Sequence, residues 1–256
     1  MIPHVVAFGG GVDSTAMVLG LIENKKPIDL ILFADTGAER PETYAHIDKF
    51  SAWLKSKGYP EIIIVKRTRR DGSLETLEEE CLRRNNLPAI AYGFKSCSEK
   101  HKIRPQNKFM NHWQPALDAW AVGEKCVKYI GYDANETRRA ENVAKRDDPK
   151  YVCEYPLIEW DWDRDDCLAI IEKYGFTNVG KSACFFCPSS RKTEVIELHK
   201  KHPDLLNRAL KIEAQAELTT IKGLGRNYSW QSLIDLHLKN EPLPNVGFDL
   251  PCGCVD

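Results

Sequence analysis

The sequence predicts an α/β protein, in which helices flank a parallel sheet and an α-helical region follows toward the C-terminus. A short apolar run, Val5-Val6-Ala7-Phe8, predicts a buried strand, and three glycines separate it from an amphipathic helix. Further buried strands then alternate with helical patterns, which is typical of βαβ units. After Cys187 the pattern becomes helical. We therefore expect an α/β domain over residues 1–180 and a second segment, with a Cys-x-x-Cys pair and helices, over residues 181–256.

The composition allows a full hydrophobic core and has no feature of a membrane protein. The chain has 256 residues, 43% of them hydrophobic, and a formal net charge of −1. That charge provides no overall basic field for nucleic acid, although local basic clusters exist. No stretch has membrane-spanning length and the N-terminus lacks a signal-peptide pattern, so we expect a cytoplasmic protein without membrane contact. There, the nine cysteines are expected as thiols or metal ligands rather than disulfides.

The individual elements follow from hydrophobic periodicity and from turn residues. Strands are predicted over residues 5–8, 29–34, 61–66 and 127–132. Helices are predicted over residues 13–21, 41–54, 74–87, 164–174, 191–201, 204–221 and 230–238. One further helix is predicted to contain Phe109, Trp113, Leu117 and Trp120. Asp163 is the expected N-cap of the helix at residue 164, and we expect Trp160 and Trp162 to pack in the core rather than to stack on bases.

The turn at Gly9-Gly10-Gly11 predicts an anion site suited to phosphate. It aims backbone N–H groups, the hydroxyls of Ser14 and Thr15 and the positive end of a helix at one point. A Walker A loop is excluded because no lysine lies between Gly9 and Thr15. The carboxylate of Asp13 lies in the same cradle, which is tolerable only if a metal ion accompanies the phosphates. Two alternatives stay open, a structural glycine turn and a dinucleotide site with Asp35 as the ribose-binding acid.

Polar residues also follow the second and fourth predicted strands. Asp35-Thr36-Gly37 comes directly after one strand, and Gly131 leads from the other to Glu136, Arg138 and Arg139. In a parallel sheet these segments face the same crevice as the glycine turn. Arginines there can bind phosphate in a bidentate manner, and a capped, salt-bridged helix start is the alternative.

Two basic regions lie outside this crevice. Arg67, Arg69 and Arg70 follow the third strand, and the C-terminal helices carry several lysines near Tyr228 and Trp230. The first region is either a solvated turn or a patch that contacts substrate phosphates. The second is either a solvated face or a surface for RNA or DNA. Both pairs of interpretations stay open.

The glycine turn and the segments around it together resemble a known family. Gly9 to Thr15 resembles the pyrophosphate loop of the adenine-nucleotide α-hydrolase (PP-loop) superfamily, although Gly9 replaces the usual serine. Residues 4–190 are similar to the phosphoadenosine-phosphosulfate reductase branch of that superfamily. The matching pieces are the loop itself, Asp35-Thr36-Gly37 with Pro41-Glu42-Thr43, Cys97-x-x-Lys100-x-Lys102-x-x-Pro105, Gly131-Tyr132-Asp133-x-x-Glu136-x-x-Arg139-Ala140, and Pro156-Leu157-Ile158-x-Trp160.

This resemblance implies a Rossmann-like, HUP-type parallel sheet that binds ATP with Mg²⁺. The residues implied to contact the nucleotide are Phe8, Gly9, Gly10, Gly11, Asp13, Ser14, Thr15, Asp35, Thr36, Gly37, Gly131 and Glu136. The residues implied to act in catalysis are Asp13, Ser14, Lys100, Arg138 and Arg139.

The cysteines divide into a metal-like pair and a terminal pair. Cys184 and Cys187 have the spacing of two ligands of one ion. The resemblance implies a [4Fe–4S] cluster on Cys97, Cys184 and Cys187, with Ser96 in place of one customary cysteine. Either one iron stays open, or Cys252 or Cys254 supplies the fourth ligand, for which we expect Cys254. Zinc on the same residues is the alternative, as are two free thiols. Cys252-Gly253-Cys254 could instead be a tail nucleophile or a passive tail.

The leading functional hypothesis is an enzyme that cleaves ATP to AMP and pyrophosphate and transfers sulfur to a nucleic-acid or nucleotide acceptor. It implies a nucleotide substrate and a sulfur-donor protein as partners, and it leaves the acceptor and the oligomeric state open. The first alternative is a sulfonucleotide reductase with a C-terminal cysteine nucleophile. The second is a non-catalytic ATP-binding regulator with a structural zinc.

Overall fold

Five parallel strands form the centre of the protein. The computed structural model describes residues 1–94, 96–144 and 148–243. The strands lie in the order β3-β2-β1-β4-β5. Their bounds are β1 His4–Phe8, β2 Leu30–Asp35, β3 Ile62–Lys66, β4 Cys126–Ile130 and β5 Tyr151–Glu154. β1 is central, with Val6 opposite Ile31 of β2 on one side and Tyr129 of β4 on the other.

Twelve α-helices are present in the described part of the chain. They are α1 Val12–Glu23, α2 Pro41–Ser56, α3 Leu77–Arg84, α4 Ser96–Ser98, α5 Arg104–Met110, α6 Gln114–Ala121, α7 Thr137–Ala144, α8 Pro156–Glu159, α9 Arg164–Lys173, α10 Lys192–Lys201, α11 Pro203–Gln215 and α12 Trp230–Leu238. A π-helical turn, Glu99–Ile103, joins α4 to α5. No helix among these described residues is both long and apolar enough to span a membrane.

Helices cover both faces of the sheet, which explains why its central strands are almost entirely buried. Every residue of β2 is buried, and so are the last four residues of β1. Val6 and Phe8 join α1, α2 and α9 in a core on one face. Val5 points the other way, into a core with Met110 of α5 and Ala116 of α6. The predicted α/β architecture with a parallel sheet is therefore confirmed.

A third core holds the C-terminal helices. It combines α10, α11 and α12 with the segment Cys184–Cys187. Leu77 and Cys81 of α3 and residues 87 and 91 also belong to this core, so a part of the chain before residue 180 packs with the part after it. The predicted helical C-terminal region is confirmed, and the division at residue 180 stays a prediction.

The predicted elements differ from the structure at several points. The single helix expected through Phe109 and Trp120 is two helices, because Trp113 has extended backbone and Pro115 starts the new helix at α6. The helix predicted over residues 74–87 is shorter and begins after a capping box in which Thr76 is the N-cap. The helix predicted over residues 204–221 ends at Gln215. The edge strand β5, only four residues long with Val152 exposed, is missing from the prediction.

Other local predictions are confirmed. Asp163 is the N-cap of α9 and forms a capping box with Asp166. Trp160 and Trp162 lie with their rings 5.0 Å apart and pack against α1, where they leave room only for a glycine at position 20. The terminal residues Cys252 and Cys254 lie outside the described residues.

Candidate active site

The glycine turn lies between β1 and α1. It leaves the first turn of α1 open, in the sense that the first backbone N–H groups lack a capping acceptor. Gly10 has a φ of +78°, and a Cβ there would lie 3.1 Å from Cδ1 of Ile47, so both backbone and space require glycine. The N-cap is Gly11, which has no side chain that could cap the helix. The first N–H groups of α1 consequently have no acceptor from a capping side chain or from their own helix. This arrangement is suited to an anion.

The hydroxyls of Ser14 and Thr15 point back into the helix. Thr15 donates to the carbonyl of Gly11 at 2.7 Å, and Ser14 lies 3.3 Å from the same oxygen. Nε2 of His46, on α2, lies 2.9 Å from the Thr15 hydroxyl oxygen. Burial, with a smaller contribution from Lys49, lowers the pKa of His46 to about 4. His46 is therefore neutral near pH 7, and because the Thr15 proton is already used, its Nε2–H is the donor.

A segment far along the chain covers the glycine turn. The hydroxyl of Ser182 donates a hydrogen bond to the carbonyl of Gly9. A cleft of about 500 Å³ opens beside Gly10, between α2 on one side and residues 178–183 with α10 on the other. His46 lines this cleft, together with Lys181 and Lys201 from the opposite side. Neither Ser182 nor His46 is among the predicted site residues, since no local motif marks them.

Asp13 lies at the centre of a charged cluster on the other side of the turn. Its carboxylate accepts a hydrogen bond of 2.8 Å from Arg164 at the start of α9. Burial raises the pKa of Asp13, Arg164 opposes that effect, and the nearby charge of Asp133 adds to it. A positive ion brought by a ligand would relieve the repulsion between Asp13 and Asp133. Arg164 is a further residue that the sequence prediction misses.

Two of the predicted residues after β4, Glu136 and Arg139, lie close enough to Asp13 to interact electrostatically with it. A Cβ on Gly131 would lie 3.1 Å from both N and Cα of Ser14, so only glycine lets the end of β4 approach α1 this closely. Glu136 pairs with Arg139, whose guanidinium lies 4.3 Å from the ring centroid of Tyr132. Burial raises the pKa of Glu136, against the lowering effect of Arg139. The side chain of Arg138 is exposed.

The predicted residues at the end of β2 form hydrogen bonds mainly within their own loop. One oxygen of Asp35 accepts hydrogen bonds from Gly37 N–H and from the Tyr44 hydroxyl, each at 2.7 Å, and the other lies 3.1 Å from Lys66 Nζ. Burial, followed by the hydrogen bond to Asp35, raises the pKa of Tyr44. Phe8 is likewise internal, with its ring stacked 5.7 Å from that of Phe50. Phe8 is thus available to a ligand only through its backbone.

The cysteine segment docks on this loop. The Cys184 thiol lies 3.3 Å from the Thr36 hydroxyl, and the next residue, Phe185, donates its N–H to the Ala38 carbonyl at 2.8 Å. Cys187 N–H closes a turn onto the Cys184 carbonyl at 3.0 Å, and Cys97 packs at the margin of the same apolar cluster. Burial raises the pKa of Cys184, and the neighbouring carboxylate of Glu39 adds to the effect.

The two metal predictions, a cluster or zinc site on the cysteines and a magnesium site near the glycine turn, make different demands on these residues. No three His, Cys, Asp or Glu side chains among the described residues are arranged to hold a metal ion. Cys97, Cys184 and Cys187 therefore stay predicted ligands, and the fourth predicted ligand, Cys254, lies outside the described residues. A magnesium site requires fewer protein ligands, because Mg²⁺ is usually held by one or two carboxylates together with substrate phosphates. Asp13, beside the open helix end, fits that requirement.

Lys100 and Lys102 belong to the neighbourhood of the cysteines rather than to the Asp13 cluster. Lys100 forms an ion pair of 3.0 Å with Glu80 of α3 and lines a pocket of about 200 Å³ together with Cys97. Lys102 is buried, and its positive charge acts on both Cys97 and Cys184. The catalytic role predicted for Lys100 stays a prediction.

A parallel sheet with an open glycine turn at the start of α1, an acid in its first helical turn and arginines at the neighbouring strand end defines a PP-loop nucleotide-binding fold. The chain belongs to the phosphoadenosine phosphosulfate reductase family, since the model of that domain matches residues 3–166. It is also 28% identical, over 216 residues, to the uncharacterised protein MJ0066 of Methanocaldococcus jannaschii. That match spans 79% of this chain but only 40% of the relative.

Among solved structures, the U34-tRNA thiolase NcsA from Methanococcus maripaludis, determined with its [4Fe–4S] cluster, is similar to this chain. The sequence identity is 18% and the TM-score is 0.46, over 85% of this chain and 74% of the thiolase. The match of the family model to residues 3–166 confirms the family resemblance that the sequence indicates.

Proposed function

We propose that this protein is an ATP-dependent enzyme that forms AMP and pyrophosphate and transfers sulfur to a nucleotide or nucleic-acid acceptor. The observation that carries the proposal is the open first turn of α1 behind Gly9-Gly10-Gly11, with Asp13 beside it. Membership of the family supports the proposal, because the family is described by a phosphosulfate reductase, which is an enzyme of sulfur chemistry.

In the proposed reaction, an oxygen of the acceptor attacks the α-phosphorus of ATP and the bond to the β-phosphate breaks. The N–H groups of the glycine turn hold the departing pyrophosphate, on which negative charge grows in the transition state. Magnesium, when bound, neutralises part of that charge, and Asp13 is the residue that would hold it. Arg139 and Arg164 provide positive charge at the same side of the turn.

A sulfur nucleophile then attacks the acceptor carbon that carries the AMP. The carbon–sulfur bond forms, the carbon–oxygen bond breaks, and AMP leaves with the oxygen and its electron pair. We propose that a donor protein supplies this sulfur at the oxidation level of sulfide. No step is assigned to an iron–sulfur cluster, because no three His, Cys, Asp or Glu side chains among the described residues are arranged to hold a metal ion.

Exchange of labelled pyrophosphate into ATP tests the first half-reaction. Asp13→Asn keeps an oxygen to accept the Arg164 hydrogen bond but removes the charge, so we expect the exchange rate to fall by about 100-fold or more. Asp118→Asn, the same chemical change on the exposed face of α6, is the matched control and should exchange at the wild-type rate. Equal rates in all three proteins would refute the proposal.

A sulfonucleotide reductase is the second candidate, because the family model describes a reductase domain. In that reaction a thiolate attacks the sulfate sulfur of a bound sulfonucleotide and releases the nucleotide, so no pyrophosphate forms. Release of sulfite from a sulfonucleotide in the presence of a thiol, without ATP–pyrophosphate exchange, would favour this candidate. ATP binding without turnover in either assay would favour a regulator.

A further inference from the structure

A strongly basic groove lies along the edge of the sheet, outside the proposed ATP site. It has a volume of about 270 Å³ and runs between the loop at residues 66–70 and one side of the π-turn and α5. Seven of its nine lining residues are lysine or arginine, and no acid lines it among the described residues. Because the whole chain carries a net charge of −1, this concentration of positive charge is local.

Two buried carboxylates organise the wall of this basic groove without neutralising it. The Glu75 side chain is fully buried and pairs with Arg67, Arg69 and Arg83. The Glu80 side chain, 7% exposed, pairs with Arg67, Arg84 and Lys100. Five cations thus share two carboxylates, so the network keeps an excess of positive charge. Burial alone would raise the pKa of Glu80, but the hydrogen bonds from His101 and Lys100 hold it well below the ordinary value.

Two further cations extend the positive charge toward solvent. Arg70 is exposed, and Lys108 donates a hydrogen bond of 2.7 Å to the Thr68 hydroxyl. Neither has a carboxylate partner within the part of the chain that the structure describes. Their charges are consequently available to an anion, and the arginines behind them are held in fixed orientations by Glu75 and Glu80.

An apolar groove continues from the basic groove along the exposed face of β3. Its volume is about 690 Å³, and it shares Lys66, Thr68, Pro105 and Lys108 with the basic groove. Ile64 and Leu74 line it and are 46% and 61% exposed. Its other wall contains the aromatic rings of Phe109 and Trp113, at the end of α5 and the start of α6.

We propose that the two grooves together bind single-stranded nucleic acid. Cations that follow a phosphate backbone beside aromatic rings that stack on unpaired bases are the combination that such a ligand needs. The phosphates would lie on Arg70, Lys108 and the arginine network, and the bases on Phe109 and Trp113. A duplex would not fit equally well, because its bases are already stacked and cannot reach the rings.

The position of the basic groove connects it with the chemistry of the crevice. Lys100 lines both the basic groove and the pocket that contains Cys97. A strand that leaves the basic groove past Lys100 therefore reaches the cysteine side of the crevice. That this strand is the sulfur acceptor rests on the proposed function, whereas its binding to the groove does not.

Fluorescence anisotropy of the full chain with labelled 20-nucleotide single strands of DNA and of RNA, and with a 20-base-pair duplex, tests the proposal at 50 and 200 mM salt. We expect a single strand to bind more tightly than the duplex and its affinity to fall steeply with salt, with a log–log slope of about 0.7 per phosphate contact. The tighter of the two single strands identifies the sugar that the groove prefers.

Variants distinguish binding in the basic groove from binding by unspecific surface charge. Arg70→Glu with Lys108→Glu should weaken binding at least about tenfold and reduce the salt slope. Lys25→Glu with Lys57→Glu, the same charge change in exposed turns at the ends of α1 and α2, is the matched control and should bind like the wild type. Trp113→Leu keeps apolar bulk but removes the ring, so binding should weaken about tenfold with an unchanged salt slope.

The proposal is overturned if no single strand binds, if the duplex binds equally well, if both charge-reversal pairs weaken binding alike, or if a mononucleotide binds as tightly as the 20-mer. ATP–pyrophosphate exchange in the same wild-type preparation separates the two proposals. Exchange without binding of a single strand refutes the nucleic-acid groove and leaves the proposed function standing. Binding of a single strand without exchange refutes the proposed function and leaves the groove standing.

Discussion

His46 provides a direct test of the hydrogen-bond arrangement below the glycine turn. Its ring is partly buried against Phe50, with the centroids 5.6 Å apart, and its Nε2 contacts the Thr15 hydroxyl. His46→Gln is the informative change, because the glutamine NH₂ group can donate the same hydrogen bond but cannot take up a proton near neutral pH. The variant therefore removes a titration while it keeps the contact.

The sign of the effect follows from the lowered pKa of His46. Unfolded His46 takes up a proton below its ordinary pKa of 6.5, whereas folded His46 resists until about pH 4. Between these values the unfolded chain binds more protons, so the free energy of unfolding falls as the pH falls. With a pKa of 6.5 unfolded and about 4 folded, the loss between pH 7 and pH 5 is about 2 kcal/mol.

Urea unfolding followed by tryptophan fluorescence measures this difference. We expect acidification from pH 7 to pH 5 to lower the free energy of unfolding by about 2 kcal/mol more in the wild type than in His46→Gln. The carboxylates titrate in both proteins and cancel in the comparison. His112→Gln, at an exposed position, reports what a histidine-to-glutamine exchange does by itself.

Two results would contradict this reasoning. If the wild type and His46→Gln lose the same free energy on acidification, His46 does not stay neutral in the folded protein. If the histidine signal titrates near its ordinary pKa of 6.5 by NMR in the folded state, burial does not control it. Either result would also remove the assignment of Nε2–H as the donor to Thr15.

Three further predictions concern packing, catalysis and metal binding. Gly20→Ala places a methyl group against Trp160 and should lower the free energy of unfolding by about 1–3 kcal/mol, measured by urea unfolding, with a stabilised variant as the contrary result. Gly131→Ala must push the start of α1 away by a few tenths of an ångström, so ATP–pyrophosphate exchange should slow several-fold, roughly 3- to 10-fold, and an unchanged rate would speak against the close approach at Ser14. The predicted ligand set of Cys97, Cys184, Cys187 and Cys254 implies that protein purified without oxygen contains about four irons per chain, lost in Cys187→Ser; one zinc, or no metal, would contradict the predicted cluster.

Local sequence was enough to predict the central part of the fold and of the site. The glycine turn and the strand before it depend on neighbours in the sequence, because φ at Gly10 and the apolar run of β1 are local properties. The N-cap of α9 is equally local, since Asp163 and Asp166 form their hydrogen bonds within one turn. The edge strand β5 could not be predicted in the same way, because four residues with one exposed face provide too short a pattern.

The prediction of a single helix through Phe109 and Trp120 shows the limit of periodicity. Its apolar residues are spaced as in a helix, and Phe109, Trp113 and Trp120 pack against one core, whereas Leu117 is exposed. The chain nevertheless turns at Trp113, because Pro115 favours a new helix start and removes a backbone donor. Pro115 was a usable signal in the sequence, and it outweighs the hydrophobic spacing.

By itself, the sequence determined the first four strands, most of the helices, the glycine turn and the presence of an acid inside it, because each depends on residues within a few positions of one another. Only the tertiary structure decided which distant groups complete the site. Ser182 reaches Gly9 across 173 positions, Arg164 reaches Asp13 across 151, and Thr36 meets Cys184 across 148. The same holds for the cations that Glu75 and Glu80 arrange along the sheet edge. Such pairs form because helices cover both faces of the sheet and bring separate segments to one edge, and no periodicity along the chain encodes which of them will meet.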